Sequence, residues 1–526
     1  MRLGLLSTCF VLALAATPAR ADTLYRVLGD RWTPADERGY GEFLAAIGTS
    51  GCRTIDACLK GAANPFRASD PPGVTFRGDC ADLPYYLRFY YAWKRGLPFS
   101  YVRRVSPRGR ARDIRYSAGG NQVSARRDLA SGMDALSVLN HLRDYISSAT
   151  YRMDPELEGQ DFYSPALDAK GIRPGTTIYD PNGHLAVVYR VERDGRIHYI
   201  DAHPDNSLTR GYYDLRFVRA SPGMGAGFKN WRPLHLQNAR RLHGVLFGGK
   251  VTLAANAAIP DFALTQYYGT GPRPENWRSG AFMLQGKRLD YYDYVRAALS
   301  GGSLNFDPVR EVADMVASNC ADLGYRAEAV DMALAAGLQN RPQPERLPSN
   351  IYGTDGDWET YSTPSRDARL KTAFRNLRDM AGRFLKLWRA RDPSLTYRGA
   401  NLAADMLQAH DSVAAACRIG YSRSDGSRVM LGYEEARQRL FRMSFDPYHC
   451  VEARWGALGT EAASCRDGAT KRAWYVAEQR LRNQTDRTYE ARMDFSLREL
   501  GAGSGGIATA PDTDVRSLLL QVARTP

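Results

Sequence analysis

Pro84 is the residue that most constrains how this 526-residue chain can fold locally. It stands near the start of the run Cys80-Ala81-Asp82-Leu83-Pro84-Tyr85-Tyr86-Leu87, in which Leu83, Leu87, Tyr90 and Tyr91 recur at helical spacing. Proline lacks the N–H that a helix interior needs and is tolerated only in the first turn. The helix therefore starts close to Cys80 and is stopped by Gly96-Leu97-Pro98. A thiol at a helix start meets partial positive charge and unpaired N–H groups, which favour thiolate and can receive an oxyanion.

Further along, Gly183-His184-Leu185-Ala186-Val187-Val188-Tyr189 reads as a strand opening on a histidine, and residues 196–202 read as the next strand, joined through the hairpin signal Asp194-Gly195. A helix followed by an antiparallel sheet is an α+β arrangement. With the turn centred on Asp194 and Gly195, His184 faces Asp205, Ala186 faces His203 and Val188 faces Asp201. Directly paired residues share a face, so His203 is one diagonal step from His184. Asp201 is roughly 13 Å along the strand from His184's partner at ~3.3 Å per residue, unless a bulge slides it closer. Geometry favours His203, while chemistry favours Asp201, because a carboxylate is the stronger orienter of an imidazolium. Cys80 as nucleophile and His184 as its base, within hydrogen-bonding reach of each other, point to acyl transfer.

Arg2, the apolar run from Leu3 to Ala16 and then Ala19-Arg20-Ala21 read as a signal peptide over 1–21. No later stretch approaches the ~20 apolar residues that span a bilayer, so the mature chain is expected to be periplasmic or secreted, with no transmembrane segment. Net charge is +14, or +12 without Arg2 and Arg20, spread without a Lys/Arg block. That argues against a nucleic-acid partner and for a basic surface drawn to anionic cell envelope. Loss of Cys9 leaves seven cysteines, an odd number for an oxidising compartment. Cys52 with Cys58 and Cys450 with Cys465 close local loops, leaving Cys320 for Cys417 and Cys80 unpaired. A free Cys80 of depressed pKa is expected. Cys320-Ala321-Asp322-Leu323 echoes the Cys80 motif, but no histidine-led strand follows it, so Cys320 reads as structural. No His-Glu-x-x-His, Cys-x-x-Cys or phosphate loop occurs, so no metal and no cofactor are expected.

Length implies two or more domains. The chain divides into a hydrolase-type domain with an N-terminal extension over 22–245, a linker over 246–280, a mostly helical domain over 281–500, and a flexible tail over 501–526. Helices are expected over 309–336, 365–391 and 469–500, and a short docking helix over 515–523.

The order of helix-borne Cys80, strand-borne His184 and a polar residue on the next strand resembles the papain-like cysteine peptidase superfamily. Asp79-Cys80-Ala81-Asp82-Leu83, Arg173-Pro174-Gly175 and Gly183-His184-Leu185-Ala186 look most like the NlpC-type cell-wall peptidases. Their Cys-His-His set maps onto Cys80, His184 and His203; transglutaminase-like proteins share the arrangement with an aspartate third, here Asp201. The resemblance covers about residues 76–206. It departs at Ala81-Asp82, where the NlpC-type pattern has Ser-Gly, and in a longer gap between Cys80 and His184. It implies a papain-like helix-plus-sheet domain and an exported cysteine peptidase or amidase acting on peptidoglycan peptides or envelope proteins. A transglutaminase-like acyl transferase, and a non-catalytic envelope binding or assembly protein on the same scaffold, are the alternatives.

Overall fold

The computed structural model describes residues 23–353, 356–361 and 364–524; the signal peptide read over 1–21 lies outside them. Helix α1 (Pro34–Thr49) begins with a capping box in which Thr33 accepts the Asp36 N–H and Asp36 accepts the Thr33 N–H. Helix α2 (Asp82–Arg95) begins two residues after Cys80 and ends at Gly96, which takes the left-handed conformation. Its start is tied by reciprocal aspartates. Asp79 Oδ1 accepts the N–H groups of Ala81 at 2.8 Å and Asp82 at 3.1 Å, and Asp82 Oδ2 accepts that of Asp79 at 3.0 Å. Leu83, Leu87, Phe89 and Tyr90 of α2 share one buried core with Phe43, Leu44 and Ile47 of α1, where Tyr90 stacks on Phe43.

These helices cover one face of a six-stranded antiparallel sheet. Its strands are β1 (Phe162–Tyr163), β2 (Thr177–Asp180), β3 (His184–Val191), β4 (Ile197–Ala202), β5 (Leu208–Tyr212) and β6 (Gly227–Trp231), in spatial order β1-β6-β2-β3-β4-β5. Leu185 and Val187 face the helices, while Ala186 and Val188 face a second core with Phe217, Phe228 and Val295. With both faces covered, β3 is apolar almost throughout, departing from the alternation of a half-exposed strand.

The β3–β4 register differs from the simple hairpin. The turn slips the register by one residue, since Val191 pairs with Ile197 and Arg190 with His198, and a bulge at Tyr189 slips it by a second, so that Val188 pairs with Tyr199 and Val187 with Ile200. Carried on, this register sets His184 opposite His203 and Asp201 opposite Ala186, a diagonal neighbour of His184.

Residues 246–280, expected as a linker, are built into the first domain. Lys250–Leu253 pairs with Leu234–Gln237, and Phe262 bridges to Pro165. Buried Gln266 accepts the Phe228 N–H at 2.8 Å and donates to its carbonyl at 2.9 Å, so a side-chain amide satisfies backbone groups of β6. Beyond lie helices α3 (Pro308–Ala335), α4 (Pro364–Arg389) and α5 (Leu402–Ala416). The run 469–500 is three short helices, not one. Between the last two, the chain extends so that Arg492 and Ser496 bridge Asn350 and Arg346, burying Met493 and Phe495. Within the tail, the short docking helix expected over 515–523 is present: α6 (Val515–Ala523) has Val515 and Leu519 fully buried. Ion pairs join the two halves, among them Arg196 with Asp314 at 2.7 Å and Arg310 with Glu192 at 3.0 Å.

Cysteine pairing follows the expected scheme: Cys52–Cys58, Cys320–Cys417 and Cys450–Cys465 are disulfides and Cys80 is free. This is compatible with an oxidising compartment outside the cytosol. Among the described residues no helix is long and apolar enough to cross a membrane. The Cys320–Cys417 bridge spans 97 residues and ties α3 to the end of α5, whereas Cys52–Cys58 spans 6. Loop entropy assigns them about 4.7 and about 2 kcal/mol. Cys320→Ser/Cys417→Ser should therefore lower the unfolding midpoint in urea markedly more than Cys52→Ser/Cys58→Ser; equal losses would contradict this assignment.

Candidate functional site

Glycine fixes the turn that introduces His184. Asp180 pairs with His184 across Pro181-Asn182-Gly183, and Gly183 has φ +88° with the position of a Cβ only 2.9 Å from the Tyr116 hydroxyl. A side chain there would be strained by both backbone and neighbour. The half-buried Cys80 thiol reaches the same turn, with its sulfur 3.9 Å from the Gly183 carbonyl and accepting from the Leu185 N–H. It thus contacts main chain on either side of His184. The expected hydrogen bond to the imidazole is not formed, because Leu185 shares the face of α2 and strand alternation turns His184 to the other face. Cys80 and His184 nevertheless line one cavity of about 210 Å³.

His184 Nε2 lies 2.6 Å from Asp201 Oδ2. The other Asp201 oxygen accepts from the Thr209 hydroxyl, and Thr209 stands directly opposite Asp201 on β5. His203, favoured by the simple register, does not hold His184. Its Nε2 lies 3.0 Å from Thr209 Oγ1 and its ring stacks on Tyr325 at 4.3 Å, with 5.9 Å between its centroid and that of His184. The one-residue slip at the turn and the bulge at Tyr189 together explain the exchange, since the two move Asp201 to the diagonal position.

The helical domain supplies a group that no sequence pattern announced. Arg369 of α4 places Nη1 2.7 Å from His184 Nε2 and 3.3 Å from Asp201 Oδ2, and Nη2 3.0 Å from the Tyr199 hydroxyl. A single ring nitrogen either donates in its plane or accepts there. Donation from Nε2 to Asp201 therefore leaves Arg369 facing an N–H, and acceptance from Arg369 leaves the carboxylate facing a lone pair. Arg369 and the imidazole N–H compete for Asp201.

Burial pushes the Cys80 thiol well above its ordinary value, and Asp79 adds to this, against the Leu185 N–H. The depressed pKa expected from the helix start is thus reversed, because burial and the capping carboxylates outweigh the helix dipole. Those carboxyl groups are themselves raised by burial, Asp82 to about 9 with Asp79 adding. Burial and then Arg369 lower His184, with Asp201 opposing. Burial would raise Asp201, but its hydrogen bond to His184 and the nearby cations hold it well below the usual carboxylate range. At neutral pH the site is a thiol, a neutral imidazole and a guanidinium–carboxylate pair.

The cavity lies between the two halves of the chain. Its walls carry six arginines, Arg115, Arg210, Arg326, Arg366, Arg369 and Arg487, against four acidic residues, Asp79, Asp322, Glu359 and Asp367. Burial raises the carboxyl groups of Asp79 and Asp322, so the cationic excess is larger than the count. Thr209 was legible in principle, by extending the strand register to β5; Arg369, Tyr325 and Arg487 come from segments remote in sequence. Comparisons with protein-family models, with curated proteins and with solved structures find no match for this chain.

Opposite shifts of one imidazole test this geometry. Arg369→Gln removes a cation beside His184 and should raise its pKa, whereas Asp201→Asn removes the stabilising anion and should lower it, both read by histidine NMR titration. Shifts in the same direction would contradict the competition. In the unmodified protein, alkylation of Cys80 by iodoacetamide should keep climbing above pH 9; a plateau below pH 7 would show a thiolate that this environment disfavours.

Proposed function

We propose that the protein is an exported cysteine hydrolase of papain-like design, with Cys80 as nucleophile, His184 as acid and base, and Asp201 as the orienting residue. The observation that carries this reading is the 2.6 Å contact of His184 with Asp201 on the wall of a cavity shared with the one free cysteine among the described residues. With Nε2 held by Asp201, Nδ1 is the ring nitrogen left for the thiol, which it reaches only once a side-chain rotation brings the imidazole and Cys80 together. In the reaction, His184 takes the thiol proton as sulfur adds to the amide carbonyl. The oxyanion then collapses, and the leaving amine departs with the proton that His184 returns. Water, deprotonated by His184, cleaves the thioester to a carboxylic acid and restores the thiol. The Cys80 N–H, just before the start of α2, is a candidate to receive the oxyanion, and Asn182 on the same wall is a candidate second donor.

The arginine-rich lining favours an acyl group that carries carboxylates, as peptidoglycan stem peptides do. Such a carboxylate would also draw Arg369 away from His184, relieving the competition that keeps the pair neutral. A second reading has one specific observation in its favour. An aspartate on the catalytic histidine is the transglutaminase-like arrangement, in which an amine replaces water in the second step.

An electrophilic peptide probe should modify Cys80 and no other residue. Asp201→Ala should then slow turnover of muropeptides by about 10²-fold or more and His203→Ala by less than about tenfold, with both variants folded. Incorporation of a labelled amine in place of hydrolysis would select the transferase. Absence of both the adduct and turnover would reject the catalytic reading.

A further inference from the structure

Outside the lining of the Cys80 cavity, and independent of its chemistry, a second cluster lies inside the helical domain. Asp446 and His449 belong to the loop before the short helix Val451–Arg454, and Glu478 stands at the junction of helices Ala469–Ala477 and Gln479–Asn483. All three side chains are at 0% exposure. The Nε2 of His449 lies 3.8 Å from Asp446 Oδ2 and 3.6 Å from Glu478 Oε2, and the three donor atoms lie within 4.8 Å of one another.

The hydrogen bonds available to this cluster leave its inward atoms unserved. Neither His449 Nε2 nor either oxygen of Glu478 has a hydrogen-bond partner. Buried polar atoms of this kind are costly, and a carboxylate especially so. The nearest cation, Arg482, has Nη1 3.7 Å from Glu478 Oε2 but donates from its two terminal nitrogens to the Tyr475 carbonyl and Gln479 Oε1. Asp446 is partly engaged, with Oδ1 accepting the Tyr448 N–H at 2.8 Å and Oδ2 accepting from Gln343 Nε2 at 2.6 Å. Separations of 3.6 and 3.8 Å are too long for hydrogen bonds from an imidazolium. They are near the ~3.4 Å that separates two ligands held ~2.1 Å from one tetrahedral ion.

The outer ring nitrogen completes the pattern. His449 Nδ1 lies 3.1 Å from Asp467 Oδ2, and Asp467 also accepts the Cys450 N–H at 3.1 Å. A carboxylate on the far nitrogen fixes the tautomer that leaves Nε2 bare and inward, the usual support of a metal-bound histidine. We propose that Asp446, His449 and Glu478 bind one divalent transition-metal ion, zinc by preference, as a structural site that clamps the loop 446–449 to the helical junction. Glu478 offers both oxygens, so the three residues provide four donors of the imidazole and carboxylate types that suit zinc, and their two carboxylates neutralise its charge.

Because the cluster has no exposed surface, the ion has to enter as the chain folds. The test therefore uses untagged full-length protein, secreted into medium supplemented with zinc chloride and purified without chelator. Elemental analysis should find about one zinc per chain, retained through gel filtration in dilute chelator. Glu478→Gln should lower the content at least tenfold, while Cys80→Ala should keep it, which separates this cluster from the thiol site. Protein unfolded with its disulfides intact and refolded with zinc should melt higher than protein refolded with chelator. Folded wild-type protein holding less than a tenth of an equivalent, with no zinc effect on melting, would overturn the proposal and leave an imidazolium among carboxylates. Loss of zinc in Cys80→Ala would overturn it as well. Should Glu478→Gln fail to fold, wild-type stoichiometry and the refolding comparison still decide.

Discussion

A carboxylate enclosed as completely as Asp201, which is 1% exposed, must be compensated from every side. The imidazole of His184 meets one oxygen, the Thr209 hydroxyl meets the other, and the Arg369 guanidinium approaches from the helical domain. That set joins three strands and α4 in one polar network. Both the orientation of His184 and the fit between the two halves of the chain depend on satisfying this single charge.

The same network explains why the site is at rest in this arrangement. Arg369 stabilises the Asp201 carboxylate but disfavours a charged imidazole, and burial disfavours a thiolate. The helical domain thus serves as a cationic wall that changes the electrostatics of the cavity floor, beyond being a neighbour joined by a linker. Its position is held by Arg196 with Asp314, Arg310 with Glu192 and, at the cavity wall, Arg487 with Asp180 at 3.5 Å. The buried members of these pairs, Arg196, Arg487 and Asp180, restrict relative motion, since separating them exposes unpaired groups.

Much of the scaffold was legible because it rests on local rules. Thr33-Pro34 marks a helix start, Pro84 restricts α2 to begin beside Cys80, and Gly183 admits the turn before His184. Cysteine parity and loop closure gave the disulfides and the free thiol. The four site candidates, Cys80, His184, His203 and Asp201, do come together in one region, with Asp201 rather than His203 on the imidazole. What misled the register was a turn one residue off its expected centre together with the bulge at Tyr189; each shifts the cross-strand partners of the residues before it by one, and only the two together put Asp201 diagonal to His184. The linker was misread for a related reason. Gln266 is held by a distant partner, Phe228, and a local composition of small and polar residues does not reveal such a contact.

By itself the sequence determined the order of elements, the α+β class of the first domain, the helical content of the second and the odd cysteine, because capping, proline, periodicity and parity act within short windows. Only the tertiary structure decided the third residue at His184, the direction of the Cys80 shift and the presence of Arg369 in the site. It alone brought Asp446, His449 and Glu478 to one buried point. Each of these depends on burial and on groups brought together from distant positions, as Arg369 and His184 are from 185 residues apart. A pKa or an ion pair is set by what surrounds a group in space, and that environment exists only once the two halves of the chain have packed.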